Sequence, residues 1–234
     1  MNKKLSRRLS ACLDALSSLS RVADIGCDHA YLPCYAVANG IIESAIAIDV
    51  IDGPLTQAKR TIAAYGLMDS IELRKGSGLE PLEIGEVEGV VIAGMGGKLI
   101  GQLLEDSPDV AKSMKRLVFE PQGGEPYLRR ILWKMGIEII DEQILEEDGI
   151  IYIIMTAMPS KHYDYEVNGN TMLDELFGPI LRQNVSNKLF IKKWHQKIAK
   201  IDKALISIPL ESERRTEFKQ KKQVIKDVLA GVVK

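Results

Sequence analysis

The sequence contains few cysteines, and this shortage narrows the class of protein. Only three cysteines occur among 234 residues, and no two of them have the C-x2-C spacing. An odd set without that spacing argues against a disulfide framework and against a structural zinc site. We therefore expect Cys12, Cys27 and Cys34 to be reduced and mostly buried thiols, and we expect no metal site.

Long hydrophobic stretches are also lacking. No apolar run reaches the roughly 18 residues that span a bilayer, and the amino terminus continues into an amphipathic pattern, unlike the apolar block of a signal peptide. The chain is 46% hydrophobic and 27% charged, which suffices for one good core and a smaller appendage. These features predict a cytoplasmic protein with no membrane partner.

A glycine is missing from the turn after the first predicted strand. The segment 21–33 (RVADIGCDHAYLP) reads as an apolar strand followed by a turn at Gly26. A dinucleotide-binding fingerprint, G-x-G-x-x-G, needs a second glycine so that the backbone can approach a pyrophosphate, but Asp28 stands there. A carboxylate would repel a pyrophosphate, which argues against an NAD-linked oxidoreductase, whereas the sulfonium and ammonium of S-adenosylmethionine tolerate or favour it.

The net charge of −1 conceals an uneven distribution along the chain. Residues 1–158 hold 16 Lys and Arg against 23 Asp and Glu, and residues 159–234 hold 15 against 9. An acidic body with a basic tail is typical of contact with nucleic acid, because Lys and Arg replace the counterions condensed on a phosphate backbone. The alternative interpretation of the tail is a solvated helix face.

Hydrophobic periodicity predicts alternating strands and helices before residue 160. The expected strands are 21–25, 44–49, 70–75, 88–93, 116–120, 137–145 and 150–157. The expected helices are 5–19, one from about 30, 54–65, 97–105 and 124–135. Five strands in βα alternation followed by a hairpin predict an α/β fold with a Rossmann-like, mainly parallel seven-stranded sheet and one reversed strand.

The pattern changes after Pro159. Residues 160–170 resemble a connection, and the remainder is predicted to be helical. A heptad seam precedes Pro209 and consists of Trp194, Ile198, Ile201, Leu205 and Ile208. A second apolar stripe follows and consists of Phe218, Ile225, Val228 and Val232. We predict two domains, residues 1–159 with the sheet and residues 160–234 with an α-helical coiled-coil hairpin.

A second glycine-marked turn closes the fourth predicted strand, at 90–97 (VVIAGMGG). Ligands of open parallel sheets bind outside the carboxyl ends of the strands, so this turn and the one at Gly26 are expected to form two walls of one crevice. The glycines would permit close approach of a flat base. The alternative is a tight strand-to-helix turn with Met95 as core filler.

Two further strand ends complete the predicted cofactor site. Asp49 ends the second strand, where an acid can accept both hydroxyls of an adenosine ribose, although it could instead cap the following helix. The turn at 76–78 (GSG) would pass over the adenine, with Ser77 supplying a hydroxyl. The predicted S-adenosylmethionine-binding residues are Asp24, Gly26, Cys27, Asp28, Asp49, Val50, Gly76, Ser77, Gly78, Ala93, Gly94, Met95 and Gly96.

Three motifs together carry a resemblance to a known family. They are DIGCDHAYLP at 24–33, IAGMGG at 92–97 and the pair Gly53-Pro54. On these residues the chain resembles the bacterial tRNA (adenine(22)-N1)-methyltransferases, from the first domain into the helical tail. The resemblance implies a seven-stranded class I methyltransferase domain with a carboxy-terminal coiled-coil hairpin. It also implies S-adenosylmethionine-dependent methylation of N1 of an adenine in the D-arm region of tRNA.

A catalytic hypothesis follows from this chemistry. The N1 lone pair of adenine is a competent nucleophile once it is aligned with the methyl group, so positioning should matter more than deprotonation. Methylation leaves a positive charge on the base, which a carboxylate would stabilise. Asp28 is the first candidate, with His29 and Tyr31 to orient it or to stack on the base, although His29 could simply support a helix cap. The predicted catalytic residues are Asp28, His29, Tyr31, Gly94 and Met95.

The remaining predictions concern the contact with tRNA. The target adenine must be unstacked into the pocket, which Glu120-Pro-Gln122 would line unless it merely ends a strand. The predicted RNA-binding residues are Arg7, Arg8, Lys98, Arg129, Lys192, Lys193, Lys197, Arg214 and Arg215. Removal of residues 160–234 should then weaken tRNA binding and spare cofactor binding.

Two other function classes stay open at the level of sequence. One is a methyltransferase that acts on a small molecule or a protein, with the basic arm as an oligomerisation device. The other is a non-catalytic RNA-binding scaffold, which would bind no S-adenosylmethionine. No obligate protein partner is expected for any of them.

Overall fold

The computed structural model describes residues 5–160 and 172–232. Its strands are β1 (Arg21–Ile25), β2 (Ser44–Asp49), β3 (Ile71–Lys75), β4 (Gly89–Met95), β5 (Arg116–Pro121), β6 (Ile137–Glu147) and β7 (Ile150–Pro159). Its α-helices are α1 (Arg7–Leu16), α2 (Tyr31–Ala38), α3 (Asp52–Ala64), α4 (Gly97–Asp106), α5 (Pro108–Ser113), α6 (Glu125–Lys134), α7 (Met172–Phe177), α8 (Lys188–Ser207) and α9 (Glu213–Leu229). A single 3-10 turn lies at Leu181–Asn184 among the residues described.

The strands form one seven-stranded sheet in the order β3-β2-β1-β4-β5-β7-β6. Strands β1 to β5 pair in parallel, and β7 runs antiparallel to both β5 and β6. The predicted Rossmann-like sheet with one reversed strand is therefore confirmed. The order of the strands reverses between β1 and β4, and this switch point is where open α/β sheets bind their ligands.

Predicted and observed elements agree closely before residue 160, except that the helix α5 was not predicted. It spans six residues, which is too short for a helical period to emerge from the sequence. The remainder that was predicted to be helical is divided into α7, the 3-10 turn, α8 and α9. The predicted connection at 160–170 falls largely outside the described residues. Val232 does not continue the second apolar stripe, because α9 ends at Leu229 and the Val232 side chain is 73% exposed.

Each face of the sheet carries its own hydrophobic core. One core packs α1, α2 and α3 against the sheet and includes all three cysteines, which are buried and free as predicted. The other packs α4, α5 and α6 against the opposite face. Burial raises the pKa of the Cys12 thiol to about 12, so this thiol remains protonated at neutral pH.

The carboxy-terminal helices extend the second core. Phe177, Phe190 and Trp194 belong to the same buried cluster as the sheet residues Phe119 and Met155. The rings of Phe177 and Trp194 lie 4.4 Å apart, centre to centre. The helices α8 and α9 pack against each other as the predicted hairpin, which an ion pair between Lys222 and Asp202 bridges. The apolar core thus runs without a break from the sheet into the hairpin.

A buried ion pair also ties the sheet to the segment after β7. The Arg129 Nε on α6 donates to the Glu142 carboxylate on β6 at 2.9 Å, and the Arg129 Nη1 donates to the Glu175 carbonyl at 2.7 Å. The other oxygen of Glu142 accepts from the Ile180 N–H at 3.0 Å. Gly178 has a φ of +96° and lies against the same carboxylate, where a Cβ would overlap it. Helix α6, strand β6 and the 172–181 segment therefore meet at one charged centre.

No helix in the described ranges is both long enough and apolar enough to cross a membrane.

Candidate active site

The carboxyl end of β1 places a buried carboxylate at the switch point of the sheet. Asp24 is 6% exposed and is the last residue but one of β1, which lies between β2 and β4. Burial, with the nearby charges of Asp49 and Asp28, raises the pKa of Asp24 to about 7. Burial and two neighbouring carboxylates both disfavour the ionised form of Asp24. A site with this arrangement favours a cationic ligand over an anionic one.

Asp49 joins the ends of β1 and β2. Its Oδ2 accepts from the Asp28 N–H at 3.2 Å, and its Oδ1 accepts from the Ile51 N–H at 3.0 Å. Each carboxylate oxygen has a second lone pair, so both can still accept a ligand hydroxyl. The alternative in which Asp49 caps the next helix is wrong, because the N-cap of α3 is Ile51 and no side chain caps it; that Asp49 binds the ribose stays a prediction.

The turns after β1 and β4 touch. Gly26 has a φ of +71°, and a Cβ added to it would overlap the Met95 methyl group. Gly94 has a φ of +82°, which favours glycine. A side chain at Gly26 would therefore both strain the turn and push Met95 away, so these two residues fix the spacing of the two walls of the crevice.

The adjacent glycines Gly96 and Gly97, which follow β4, differ in how much room a side chain would have. A Cβ at Gly97 would lie 2.5 Å from the Gly124 carbonyl oxygen, and the Gly97 N–H donates to the Gly123 carbonyl at 2.7 Å. A Cβ at Gly96 would meet nothing within 4 Å. Two of the three glycines at this turn therefore have a structural reason. Gly97 packs against the Gly124 backbone, and Gly94 has a positive φ.

A cavity of about 570 Å³ opens at this edge of the sheet, and nearly all predicted cofactor residues line it. They are Asp24, Gly26, Cys27, Asp28, Asp49, Val50, Gly76, Ser77, Gly78, Ala93, Gly94 and Met95. Gly96 does not line it, because the chain has already turned into α4 at that point. One contiguous cavity therefore gathers four separate strand ends.

The predicted catalytic residues also line this cavity. The Asp28 side chain is 71% exposed, and its carboxylate lies 3.5 Å from the His29 Nε2. The rings of His29 and Tyr31 stack at 5.6 Å with an interplanar angle of 20°. Asp28 and Ala30 both have positive φ, 49° and 55°, which is uncommon outside glycine and often marks functional turns.

Sequence reasoning missed the apolar residues of the cavity other than Val50, Ala93 and Met95, namely Leu9, Ile25, Leu32, Ile51, Leu99 and Leu103. Val50, which was predicted, and Ile51 are 53% and 59% exposed, and Leu99 is 50% exposed. Exposed apolar side chains beside a polar cavity suit the faces of a planar ring. The available signal was the apolar pair directly after Asp49, outside the predicted strand.

Arg8 and Glu120 connect α1 to the β4 turn beneath this cavity. The Arg8 Nη1 donates to the Glu120 Oε2 at 2.7 Å, and the Gly94 N–H donates to the same oxygen at 3.0 Å. Burial raises the pKa of Glu120, although Arg8 opposes the shift. Of the segment Glu120-Pro-Gln122, Gln122 lines the cavity and Glu120 is fully buried.

The structure contradicts one predicted RNA contact. Arg129 is fully buried, and its guanidinium is engaged by the Glu142 carboxylate and the Glu175 carbonyl, so its charge is not available to an RNA phosphate. Its partner lies on a strand 13 residues away, and nothing local in the sequence distinguishes it from a surface arginine. The prediction that Arg129 binds RNA is therefore wrong.

Several other predicted RNA contacts are engaged within the protein. Lys192 pairs with Glu146 at 2.5 Å and Lys193 with Glu125 at 2.7 Å. Arg215 donates to the Leu205 and Ile208 carbonyls, where α8 ends. Arg8 pairs with Glu120, as described above. The Arg7 guanidinium donates to the Glu146 carbonyl at 3.2 Å.

Three predicted contacts keep their charge available to a ligand. Lys98 and Lys197 are exposed and form no ion pair with the described residues. The Arg214 guanidinium lies over the Phe218 ring, 5.6 Å from its centre, on the exposed surface of α9. The available cations are thus fewer than the sequence suggested.

The fold and the site together define a class. A seven-stranded sheet with a reversed β7, and an acidic, glycine-marked crevice at its switch point, is the architecture of the class I S-adenosylmethionine-dependent methyltransferases.

Comparison with known proteins narrows the class to one family. The model of the family TrmK, tRNA (adenine(22)-N(1))-methyltransferase, matches residues 22–233. The Bacillus subtilis tRNA (adenine(22)-N(1))-methyltransferase is 38% identical over 226 residues, which cover 96% of this chain and 92% of that protein. The chain belongs to this family. Membership gives the activity, the S-adenosylmethionine-dependent methylation of N1 of adenine 22 in tRNA.

Solved structures agree with this assignment. The crystal structure of the B. subtilis m1A22 tRNA methyltransferase TrmK has a TM-score of 0.87 at 36% identity and covers 97% of this chain and 99% of that one. The Streptococcus pneumoniae protein Sp1610 in complex with S-adenosyl-L-methionine has a TM-score of 0.85 at 35% identity, covering 97% of this chain and 100% of that one.

Proposed function

We propose that the cavity between the β1 and β4 turns is where this enzyme binds S-adenosylmethionine and where adenine 22 of tRNA receives the methyl group. The observation that carries the proposal is the set of three carboxylates, Asp24, Asp28 and Asp49, around a glycine turn that contacts Met95. A cationic sulfonium and an ammonium suit a site with three carboxylates, and a pyrophosphate does not.

The residues of the cavity fit each part of the cofactor. Asp49 has free lone pairs for the ribose hydroxyls. Val50, Ile51 and the 76–78 turn suit the adenine ring, and the carboxylate of Asp24 suits the methionine ammonium. When bound, S-adenosylmethionine supplies an electrophilic methyl group on a sulfonium. Gly26 leaves the room that a side chain would fill.

Catalysis by this chain then consists mainly of orienting the adenine and stabilising charge. The adenine N1 lone pair forms the new bond to the methyl carbon, the electrons of the broken carbon–sulfur bond go to sulfur, and the base becomes positively charged. The Asp28 carboxylate stabilises that charge, while His29 holds Asp28 and stacks on Tyr31. No deprotonation precedes the transfer, because the attacking lone pair is already free.

The substrate reaches this cavity as an unstacked base. We propose that Lys98 on α4 and Lys197 and Arg214 on the α8–α9 hairpin contribute phosphate contacts. Since the substrate is tRNA, we place the enzyme in the cytoplasm. We also propose that residues 1–159 carry the methyl transfer and that residues 160–234 form the tRNA-binding arm.

A paired measurement tests the proposed function. Calorimetric titration with S-adenosylmethionine should give one site per chain, and Asp49→Ala should weaken binding about 10-fold or more, since it removes both ribose acceptors. Turnover should require unmodified tRNA. Cofactor binding without tRNA-dependent turnover would instead indicate a small-molecule or protein methyltransferase, and no cofactor binding would indicate a scaffold.

A further inference from the structure

A second, larger cavity lies beside the first. Its volume is about 1100 Å³, and it is bounded by the loop between β5 and α6, by the β6–β7 hairpin, and by α8 and α9. Gln122 lines both cavities. A ligand that fills the first cavity and continues as a chain therefore has a direct route into the second, which we call the lysine cleft.

The charge of the lysine cleft is strongly positive. Lys193, Lys197, Lys200 and Lys221 line it, together with Arg129, whose charge Glu142 neutralises. The carboxylate among its described lining residues is Glu125, which Lys193 engages at 2.7 Å. Three lysines thus face the cleft with no ion-pair partner among the described residues. A concave surface of this kind attracts a polyanion.

Lys221 is the least expected member of this group. It is half-buried on α9 and forms no ion pair with the described residues. Burial and the neighbouring charge of Lys197 on α8 lower its pKa. Two lysines that line the same cleft and repel each other, one of them partly desolvated, are an arrangement that an anion between them would stabilise.

Aromatic side chains line the same cleft. Tyr127 on α6 and Tyr152 on β7 are half-buried and contribute to its wall. The Arg8 guanidinium, which also lines the first cavity, lies over the Tyr152 ring at 5.7 Å from its centre. Ring faces next to free lysines are the combination by which proteins hold single-stranded RNA, through stacking and phosphate contacts together.

We propose that the lysine cleft is the subsite for the nucleotide next to adenine 22, with Lys197 and Lys221 holding its phosphate. This inference rests on the proposed function. Consecutive nucleotides share a phosphate, so a strand whose target base enters the first cavity carries its flanking phosphate past Gln122 to these two lysines. The subsite would hold the tRNA strand in its unstacked form and would thereby set which adenine reaches the first cavity.

Charge-neutralising variants test the subsite. Lys197→Gln and Lys221→Gln should each weaken binding of an unmodified tRNA transcript about 5- to 10-fold. They should also reduce the slope of log affinity against log salt by roughly 0.7 to 0.9, as one lost phosphate contact does. Lys221→Arg keeps the charge and should restore most of the affinity. Matched controls are Lys203→Gln on α8 and Lys226→Gln on α9, exposed lysines outside the cleft, and these should stay within about twofold of the original protein.

A neutral phosphate locates the contact on the RNA. A transcript with a methylphosphonate on either side of nucleotide 22 should bind the original protein about 5- to 10-fold more weakly at one of the two positions. The same substitution should cost Lys197→Gln and Lys221→Gln little further affinity, because the contact is already lost. Losses that add in full, or cleft variants that behave like the two controls, would overturn the subsite.

The outcomes separate the two proposals. If the original protein methylates tRNA normally and the cleft variants behave like the controls, only the proposal for the lysine cleft is overturned. If the original protein binds S-adenosylmethionine but transfers no methyl group to tRNA, the proposed function itself is overturned. Cofactor affinity, measured by titration without RNA, should be unchanged in every lysine variant.

Discussion

At the switch point of the sheet, Asp24 lowers the stability of the fold but suits the binding of a cation. Asp24 is buried with two other carboxylates nearby, and this burial and the two charges raise its pKa to about 7, far above the ordinary value of 3.8 for an aspartate. The folded protein therefore keeps this proton between those two pH values, whereas the unfolded chain releases it. Stability falls as the pH rises through that window, so the ionised acid is retained at the expense of stability.

Asp24→Asn should accordingly stabilise the protein at pH 8 and weaken the binding of S-adenosylmethionine. The expected gain in unfolding free energy is on the order of 4 kcal/mol, because the pKa is raised by about three units and one unit corresponds to about 1.4 kcal/mol. Thermal unfolding of both proteins from pH 4 to pH 8 measures it, and the difference should grow with pH. An unchanged difference across this range would contradict the assigned pKa shift.

Asp28 is expected to act on turnover, not on folding. Its side chain is largely exposed, so Asp28→Asn should leave the melting temperature nearly unchanged. It should lower kcat roughly 100-fold, as the loss of one charge-stabilising contact does in other enzymes. Asp14→Asn, an exposed aspartate on α1, is the matched control. Full turnover by both Asp28→Asn and Asp28→Ala would remove Asp28 from catalysis.

Residues that line the cavity could be located from the sequence where a local pattern places them at a strand end, while their roles stay predictions. Asp24, Gly26 and Asp49 could be recognised because each ends or follows a predicted strand, and parallel strands bring their carboxyl ends together. Gly96, which was also predicted to bind the cofactor, does not line the cavity. Its neighbour Gly97 is the glycine that packs against the Gly124 backbone, and only the folded chain distinguishes the two.

At the scale of elements, strands and long helices follow from their periodicity, whereas contacts between elements do not. Hydrophobic alternation located all seven strands, since each must bury a face against a helix layer. The ion pair between α6 and β6 left no such trace, because Arg129 looks like the exposed Arg130 beside it. Burial of a charge is a property of the tertiary arrangement.

The Arg129 centre should contribute strongly to stability. Arg129→Met leaves the buried Glu142 carboxylate without its counter-charge, and breaking a buried pair from one side typically costs about 3–5 kcal/mol. Lys134→Met on the same helix is the control, since the Lys134 side chain is exposed and forms no ion pair with the described residues, and such surface changes usually stay within about 0.5 kcal/mol. Urea unfolding measures both variants. Equal losses for the two would contradict a special role of the buried pair.

At the scale of the whole molecule, the carboxy-terminal helices are part of the core as well as a basic arm. The sequence predicted the hairpin and its charge, but it did not indicate that Phe177, Phe190 and Trp194 pack into the cluster beneath the sheet. A change of composition after Pro159 marks the boundary of the proposed domains, while the apolar contacts cross it.

Removal of residues 160–234 should therefore do more than weaken tRNA binding. It exposes the core around Phe119 and deletes the partners of Arg129 at Glu175 and Leu176. We expect a truncated chain that melts at least 10 °C lower or aggregates, with cofactor binding reduced in step, given the size of the buried surface lost. Differential scanning calorimetry checks this, and a truncated chain with an unchanged melting temperature would show that the sheet folds independently.

The most direct test of the account is the position of the methyl group in the product. Unmodified tRNA transcripts are incubated with the enzyme and S-adenosylmethionine, and nuclease fragments are analysed by mass spectrometry. We predict one 1-methyladenosine per tRNA, at position 22, with no product when adenine 22 is replaced by guanine and a roughly 100-fold slower reaction for Asp28→Asn. Methylation at another position, or equal labelling of the substituted transcript, would contradict the account.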